Sequence, residues 1–288
     1  MASLQSANAH YRTQRELARK ALAAARAGRN GSLDRLVAVM VAYQVAVATD
    51  AATAVPLMLA EQGIDTTSDA QPQPRALAAT ASDGRDLGGL MEYAQSTEVT
   101  SAMFDMIVLT QLSDAARGSS IVAQAVRPAS TGYVRMLEGG SCSRCVVLAG
   151  KFYRTNQGFQ RHPKCDCRHI PSSEDVADDL RTDPRAYFRS LTESEQDKAF
   201  TKAGAAVIRE GADISKVVNA RRGMSTAQTA TGRRRLVRTD VYGRPLYTTT
   251  AGARRGAVRL MPESIVELAG GDRIELLRLL KSHGYLKK

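Results

Sequence analysis

The sequence predicts a mainly α fold with a helical N-terminal arm or bundle, a small Cys-rich α+β central module, and a helical C-terminal region bearing an Arg-rich arm. Three observations predict it. Hydrophobic residues make up 43% of the 288, aromatics only 5%, and tryptophan is absent. Alanine is abundant instead, and it loses no side-chain entropy in a helix and packs little on a sheet. Long stretches on both sides of the centre repeat their apolar residues at helical spacing. All four cysteines, finally, fall within residues 141–171. Four regions follow: 1–130 helical, 131–222 Cys-rich and helical, 223–260 a basic flexible arm, and 261–288 a helical docking segment.

Residues 4–27 place Leu4, Tyr11, Leu17, Leu22 and Ala25 on one stripe among arginines and glutamines, an amphipathic helix that Gly28 and Gly31 end. Ser32 is placed to cap a second helix from Leu33 to about Gln62, with Gly63 as its stop. This helix is apolar nearly all round. Gln44, Asp50 and Pro56 interrupt it, which favours a buried or subunit-facing helix over a membrane span. A polar, proline-containing loop over 64–75 leads to helical stretches at 76–82, 86–117 (closed by Gly118) and 119–126. Nothing in residues 1–138 resembles a catalytic constellation.

Beyond the cysteines, Asp183-Pro184 sets an N-cap and a first-turn proline for a helix through Tyr187 and Phe188. Thr192 and Glu195 form a capping box opening a helix that keeps Phe200, Val207 and Ile208 inward and stops at Gly211. Ser215 is a candidate cap for 216–222. From Arg221 to Arg259 there are ten arginines and one aspartate, a local excess of +9 within a chain of net charge +11. Glycine, threonine and serine fill the gaps, so regular packing is expected only in a strand pair, 235–241 with 245–250. The excess charge suits DNA or an acidic subunit surface and equally suits a solvated loop. Two short helices, 262–269 and 272–282, close the chain, with Gly284 as a cap.

The start of the chain lacks the apolar segment of a signal peptide, so cytosolic synthesis is expected. Four cysteines in one short window of a reducing compartment point to metal rather than to a secreted disulfide framework. The pattern is Cys142-x2-Cys145, then His162-x2-Cys165, then Cys165-x-Cys167. A C-x2-C turn folds two thiolates to one side, and residues i and i+2 of an extended segment point the same way. Four thiolates, or three with His162, fill a tetrahedral zinc shell, the mark of a structural site. A disulfide such as Cys142 to Cys167 and a Cys–His nucleophile pair draw on the same residues. The spacing puts zinc first.

The run CSRCVVLAGKFYR…RHPKCDCRHIP resembles the CxxC…HPxCxC signature of the phage head-morphogenesis family, the MuF-like minor capsid proteins, and within it the actinobacteriophage type. The segments DPRAYFRSLTESEQDKAFTKAGAAVIREGADISKVVNARRGM and RLMPESI…RLLKSHGYL extend the likeness over about residues 130–288. It transfers, residue by residue, to Cys142, Cys145, His162, Pro163, Cys165 and Cys167. The resemblance implies a protein present in few copies per head, associated with the portal protein and capsid interior during procapsid assembly. The major capsid or scaffold protein would be a second partner. Its place would be the virion, and the host cytoplasm during assembly. Relatives of this type are also described as capsid maturation proteases. That activity needs a nucleophile and a base; Ser141, Ser143, Ser172 and Ser173, near His162 and His169, have no spacing known from proteases.

Overall fold

The computed structural model describes residues 4–70, 72–81, 84–137, 141–154, 168–221, 238–239, 245–249 and 259–286. The chain is mainly helical with a small strand-containing region. It divides into two compact units: 1–137 with 149–181, and 138–148 with 182–288.

In the first unit, α1 (Gln5–Gly28) and α2 (Leu33–Glu61) form an antiparallel hairpin. Glu61 at the far end of α2 accepts hydrogen bonds from the amides of Gln5 and Ser6, satisfying donors that a helix start leaves unpaired. Midway, Gln14 donates to the Val47 carbonyl and to Asp50, and His10 Nδ1 lies 2.6 Å from Asp50 Oδ2. Pro56 lies inside α2, which is nonetheless continuous. A 3-10 turn (Pro74–Leu77) and α3 (Leu87–Gln95) lead the chain back to the hairpin bend. There Gln95 donates to the carbonyls of Arg29 and Gly31. Helix α4 (Ser101–Ala125) starts at the Thr100 cap, which accepts from the Met103 amide, and runs alongside α2. Ala21, Leu36, Met40, Val47, Met91, Phe104, Val108 and Leu112 form the core of this bundle.

The same unit holds a three-stranded antiparallel sheet, β1 (Gly132–Met136), β2 (Phe152–Arg154) and β3 (Arg168–Ser172), with β1 in the middle. Val134 faces Phe152 and Ile170 across the ladder. These three pack with Ala7, Tyr11, Ala54 and Met58 in a second core, each large apolar side chain contributing about 1.5–3 kcal/mol on burial. Ser172 Oγ donates to Gln62 Oε1 at 2.7 Å, and Gln62 Nε2 donates to the Pro171 carbonyl at 2.7 Å, fixing β3 to the end of α2.

The second unit contains α5 (Ser143–Ala149) but for its last residue, α6 (Pro184–Ser190), α7 (Glu193–Phe200), α8 (Lys202–Arg209), α9 (Ile214–Ala220), α10 (Pro262–Ala269) and α11 (Arg273–Ser282). Asp183, Thr192 and Asp272 cap α6, α7 and α11 with their side chains, and the Thr192–Glu195 capping box is reciprocal. Two short ladders join 238–239 to 245–246 and 248–249 to 259–260. The first lies within the expected strand pair. The turn after α11 is clasped. Asp213 N donates to Tyr285 O, Lys216 Nζ to Gly284 O, and the Tyr285 hydroxyl to Leu260 O.

Several boundaries differ from expectation. Gly118 does not end a helix; it lies inside α4, where a Cβ would meet only the methyls of Leu77 at 3.5 Å and 3.6 Å. The break falls instead at 96–100. The expected helix over 76–82 is a 3-10 turn ending at Leu77. The helix expected from Thr192 to Gly211 divides at Thr201, whose φ of 66° is costly for a β-branched residue. Its hydroxyl caps α8 by accepting from Gly204 N. Asp213, rather than Ser215, caps α9 through the Lys216 amide.

Candidate functional site

Cys142 and Cys145 open α5. The Cys142 carbonyl accepts from the Val146 amide, so the helix begins on that cysteine and carries Cys145 back toward it after one turn. The two sulfurs are 3.4 Å apart. Tetrahedral zinc with Zn–S of about 2.3 Å requires sulfurs roughly 3.8 Å apart, so this pair needs only a few tenths of an ångström to converge on one ion. Cys145 is buried with Val146 and Ala149, and Cys142 is half-buried. His162, Cys165 and Cys167 lie outside the described residues. Among the described residues no three His, Cys, Asp or Glu side chains gather as a metal site. The pair thus fits zinc as half a ligand set.

A cavity of about 260 Å³ adjoins Cys142, lined by Ser141, Tyr187, Leu191, Glu195 and Lys198. Glu195 is already engaged. It accepts from Thr192 N at 2.8 Å and Thr192 Oγ1 at 2.7 Å, and these bonds hold its carboxyl below the usual range. A carboxylate so held is a weak base for activating the neighbouring thiol.

The sequence did not point to a second polar constellation, in the first unit. Tyr133, Tyr153 and His169 stack across the sheet, with Tyr133 centroids 5.4 Å from Tyr153 and 4.1 Å from His169. Arg135 shares their face through the period-2 alternation of β1 and is buried, as is Arg117 on α4. Burial and the neighbouring Tyr153 push the Tyr133 hydroxyl up to about 12, against the pull of Arg135 and Arg117. Burial also raises Tyr153. A cavity of about 480 Å³ opens here, lined by Tyr133, His169, Gln44, Gln111, Asp114 and Arg117 among others. Gln44 is fixed by donating to Thr80 O and accepting from Ala79 N. The described lining has no serine or cysteine, though Thr80, Asp114 and His169 are among its residues, and its polar groups suit holding a polar ligand. The Gly-Tyr-Val-Arg alternation was the available signal; strand register was needed to place His169 beside it.

The serines considered as nucleophiles are placed otherwise. Ser172 is fully buried and bonded to Gln62; Ser141 is buried beside Cys142; Ser143 is the first residue of α5. Of the basic stretch, the two described end residues are engaged within their own unit. Arg221 pairs with Glu263 at 2.7 Å, and the guanidinium of buried Arg259 lies 4.3 Å from the Tyr285 ring centroid.

A family model described as VG15 protein matches residues 2–194, about two thirds of the chain. The match takes in the first unit from residue 2 onward and the cysteine pair of the second. No curated protein and no solved structure matches the chain. The chain therefore belongs to the VG15 protein family, a family of phage proteins.

Proposed function

We propose that this phage protein is a head-morphogenesis minor capsid protein of the MuF-like type, acting with the portal protein and capsid interior during procapsid assembly. The observation that carries the proposal is the Cys142–Cys145 pair. Its sulfurs sit 3.4 Å apart at the opening of α5, inside the matched region, and it forms the first half of the motif on which the resemblance rests. Cys142 and Cys145 would hold one side of a zinc ion, with Cys165 and Cys167, or one of them with His162, completing the shell. Bound there, zinc supplies folding energy to a short segment. The rest of the second unit is held by its own caps and clasps. Proteolysis of scaffold or capsid protein draws no specific support from the Tyr133–His169 cavity, whose described lining has no serine or cysteine.

The test is co-expression with portal, scaffold and major capsid proteins, followed by purification of procapsids. The chain is expected in the particles in few copies, with about one zinc per chain by elemental analysis and intact capsid protein by mass. Procapsids that assemble normally and exclude the chain would overturn the assembly role. Folded, metal-free protein with all thiols open to titration would overturn the zinc site. Cleaved capsid protein, lost on inactivating the chain, would establish the protease reading in its place.

A further inference from the structure

Helix α1 carries five cations, Arg12, Arg15, Arg19, Lys20 and Arg26, against one anion, Glu16, while the rest of its unit has more acidic than basic residues. At 100° per residue, Arg12, Arg15, Arg19 and Arg26 fall within about 60° of one another and extend over roughly 21 Å of helix. The helix buries Ala7, His10, Tyr11, Gln14, Ala21 and Ala25 on a different face. All four arginines are exposed.

The local anions are largely spoken for. Glu16 pairs with Lys20 at 2.7 Å, with Arg19 a lesser influence on its carboxyl. Asp105 is bound by Arg26. Asp50 is turned inward to His10 and Gln14, and Glu61 caps the helix start. Arg15 lies 5.7 Å from the Tyr11 ring centroid, and among the described residues none of Arg12, Arg15 and Arg19 forms an ion pair. We propose that the Arg12–Arg15–Arg19 row of α1 is a nucleic-acid contact that binds the phosphate backbone of duplex DNA without reading its sequence.

The composition of the row selects that partner over an acidic protein. A specific protein interface has an apolar or aromatic centre that excludes water around its charges. Between and beside these arginines the other exposed positions are Thr13, Glu16, Lys20, Ala23 and Ala27, and Leu22 at the edge is partly buried against the core, so no exposed large apolar side chain supplies such a centre. A phosphate backbone needs none. It presents closely spaced oxyanions to which planar guanidinium groups bond in many registers, and release of condensed counterions drives binding. The row is separate in sequence from the Arg221–Arg259 stretch, so the two contributions can be resolved.

The experiment is fluorescence anisotropy of a mixed-sequence DNA duplex with the full chain, over a series of salt concentrations. Four proteins are compared: the parent, Arg12→Gln/Arg15→Gln/Arg19→Gln, the corresponding lysine triple variant, and Arg233→Gln/Arg234→Gln/Arg235→Gln. Neutralising the α1 row is expected to flatten the slope of log affinity against log salt by about 2.7, since each duplex phosphate contact contributes about 0.9. The lysine triple variant Arg12→Lys/Arg15→Lys/Arg19→Lys should restore most of that slope, which separates lost charge from lost folding. A slope unchanged by the glutamine variant, as when the row serves an acidic protein surface instead, overturns the proposal. So does a parent protein that does not bind the duplex, or a flattening seen only with the 233–235 variant.

Discussion

Tyr133 shows how one buried hydroxyl ties the sheet to pH. Burial first, and Tyr153 second, raise it to about 12, whereas a tyrosine in an unfolded chain titrates near 10. The folded state therefore holds this proton more tightly than the unfolded state does. The stability that results is fully present below about pH 10 and is lost as pH climbs toward 12. The whole effect is at most about 2–3 kcal/mol, because each pKa unit is worth about 1.4 kcal/mol. Tyr285, pushed up to about 12 chiefly by burial, adds a similar loss. Replacing Tyr133 with Phe keeps the ring against Tyr153 and His169 and removes the proton. Its urea midpoint is expected to fall less between pH 9 and pH 11 than that of the parent, with the Tyr285 contribution common to both. Parallel declines in the two proteins would show that Tyr133 does not contribute.

Two glycines make opposite demands at the level of the element. A Cβ on Gly132 would stand 2.1 Å from the Tyr153 carbonyl oxygen and 2.5 Å from the Phe152 ring, so β1 and β2 can pair here only because residue 132 has no side chain. Gly132→Ala is expected to cost about 1–3 kcal/mol, the usual penalty of forced overpacking, read as a lowered urea midpoint. Gly118, in mid-helix with ordinary contact distances to Leu77, should instead gain about 0.5–1 kcal/mol on replacement by Ala. An unchanged midpoint for the first variant, or a loss for the second, would contradict this assignment of the two sites. The pair also marks what the sequence could disclose. Asp183 and Thr192 were legible as caps because the side chain and the amide it accepts from lie within three residues. The break before α4 and the turn at Thr201 were not, because distant groups hold them. Arg29 donates to the Val99 carbonyl, and Phe188 meets Phe200 edge-on at 5.2 Å. The candidate sites divide in the same way. Cys142 and Cys145 announced themselves by spacing, whereas the Tyr133, His169 and Arg117 face exists only once strand register and the α4 packing are set.

On the scale of the whole molecule, α2 poses the sharpest choice between environments. At 29 residues and a mean hydropathy of 1.5 in its most apolar window, it is long and apolar enough to cross a membrane by length and composition. Its mid-helix polar groups Gln44 and Asp50 argue otherwise, because both are matched to partners in the bundle. Asp50 receives Gln14 and His10, Gln44 bridges Ala79 and Thr80, and Ser119 of α4 donates to the Ala48 carbonyl. A charged Asp50 set in hydrocarbon without these partners would cost about 2.5–3.5 kcal/mol. The apolar positions Leu36, Met40, Val47, Val55 and Leu59 are likewise filled from within the unit, by α1, α3 and α4. Helix α2 therefore packs against α1, α3 and α4 of its unit with a third of its most apolar window buried. The full chain is expected to stay at the bottom of a density gradient when mixed with vesicles of neutral lipid, with no detergent needed to keep it dispersed. Flotation of the chain with those vesicles, persisting through a carbonate wash, would mean that α2 leaves the bundle for the bilayer. Asp50→Leu offers the complementary check. A membrane helix would float more completely with this change, whereas the bundle loses the acceptor shared by His10 and Gln14 and should melt earlier by several degrees.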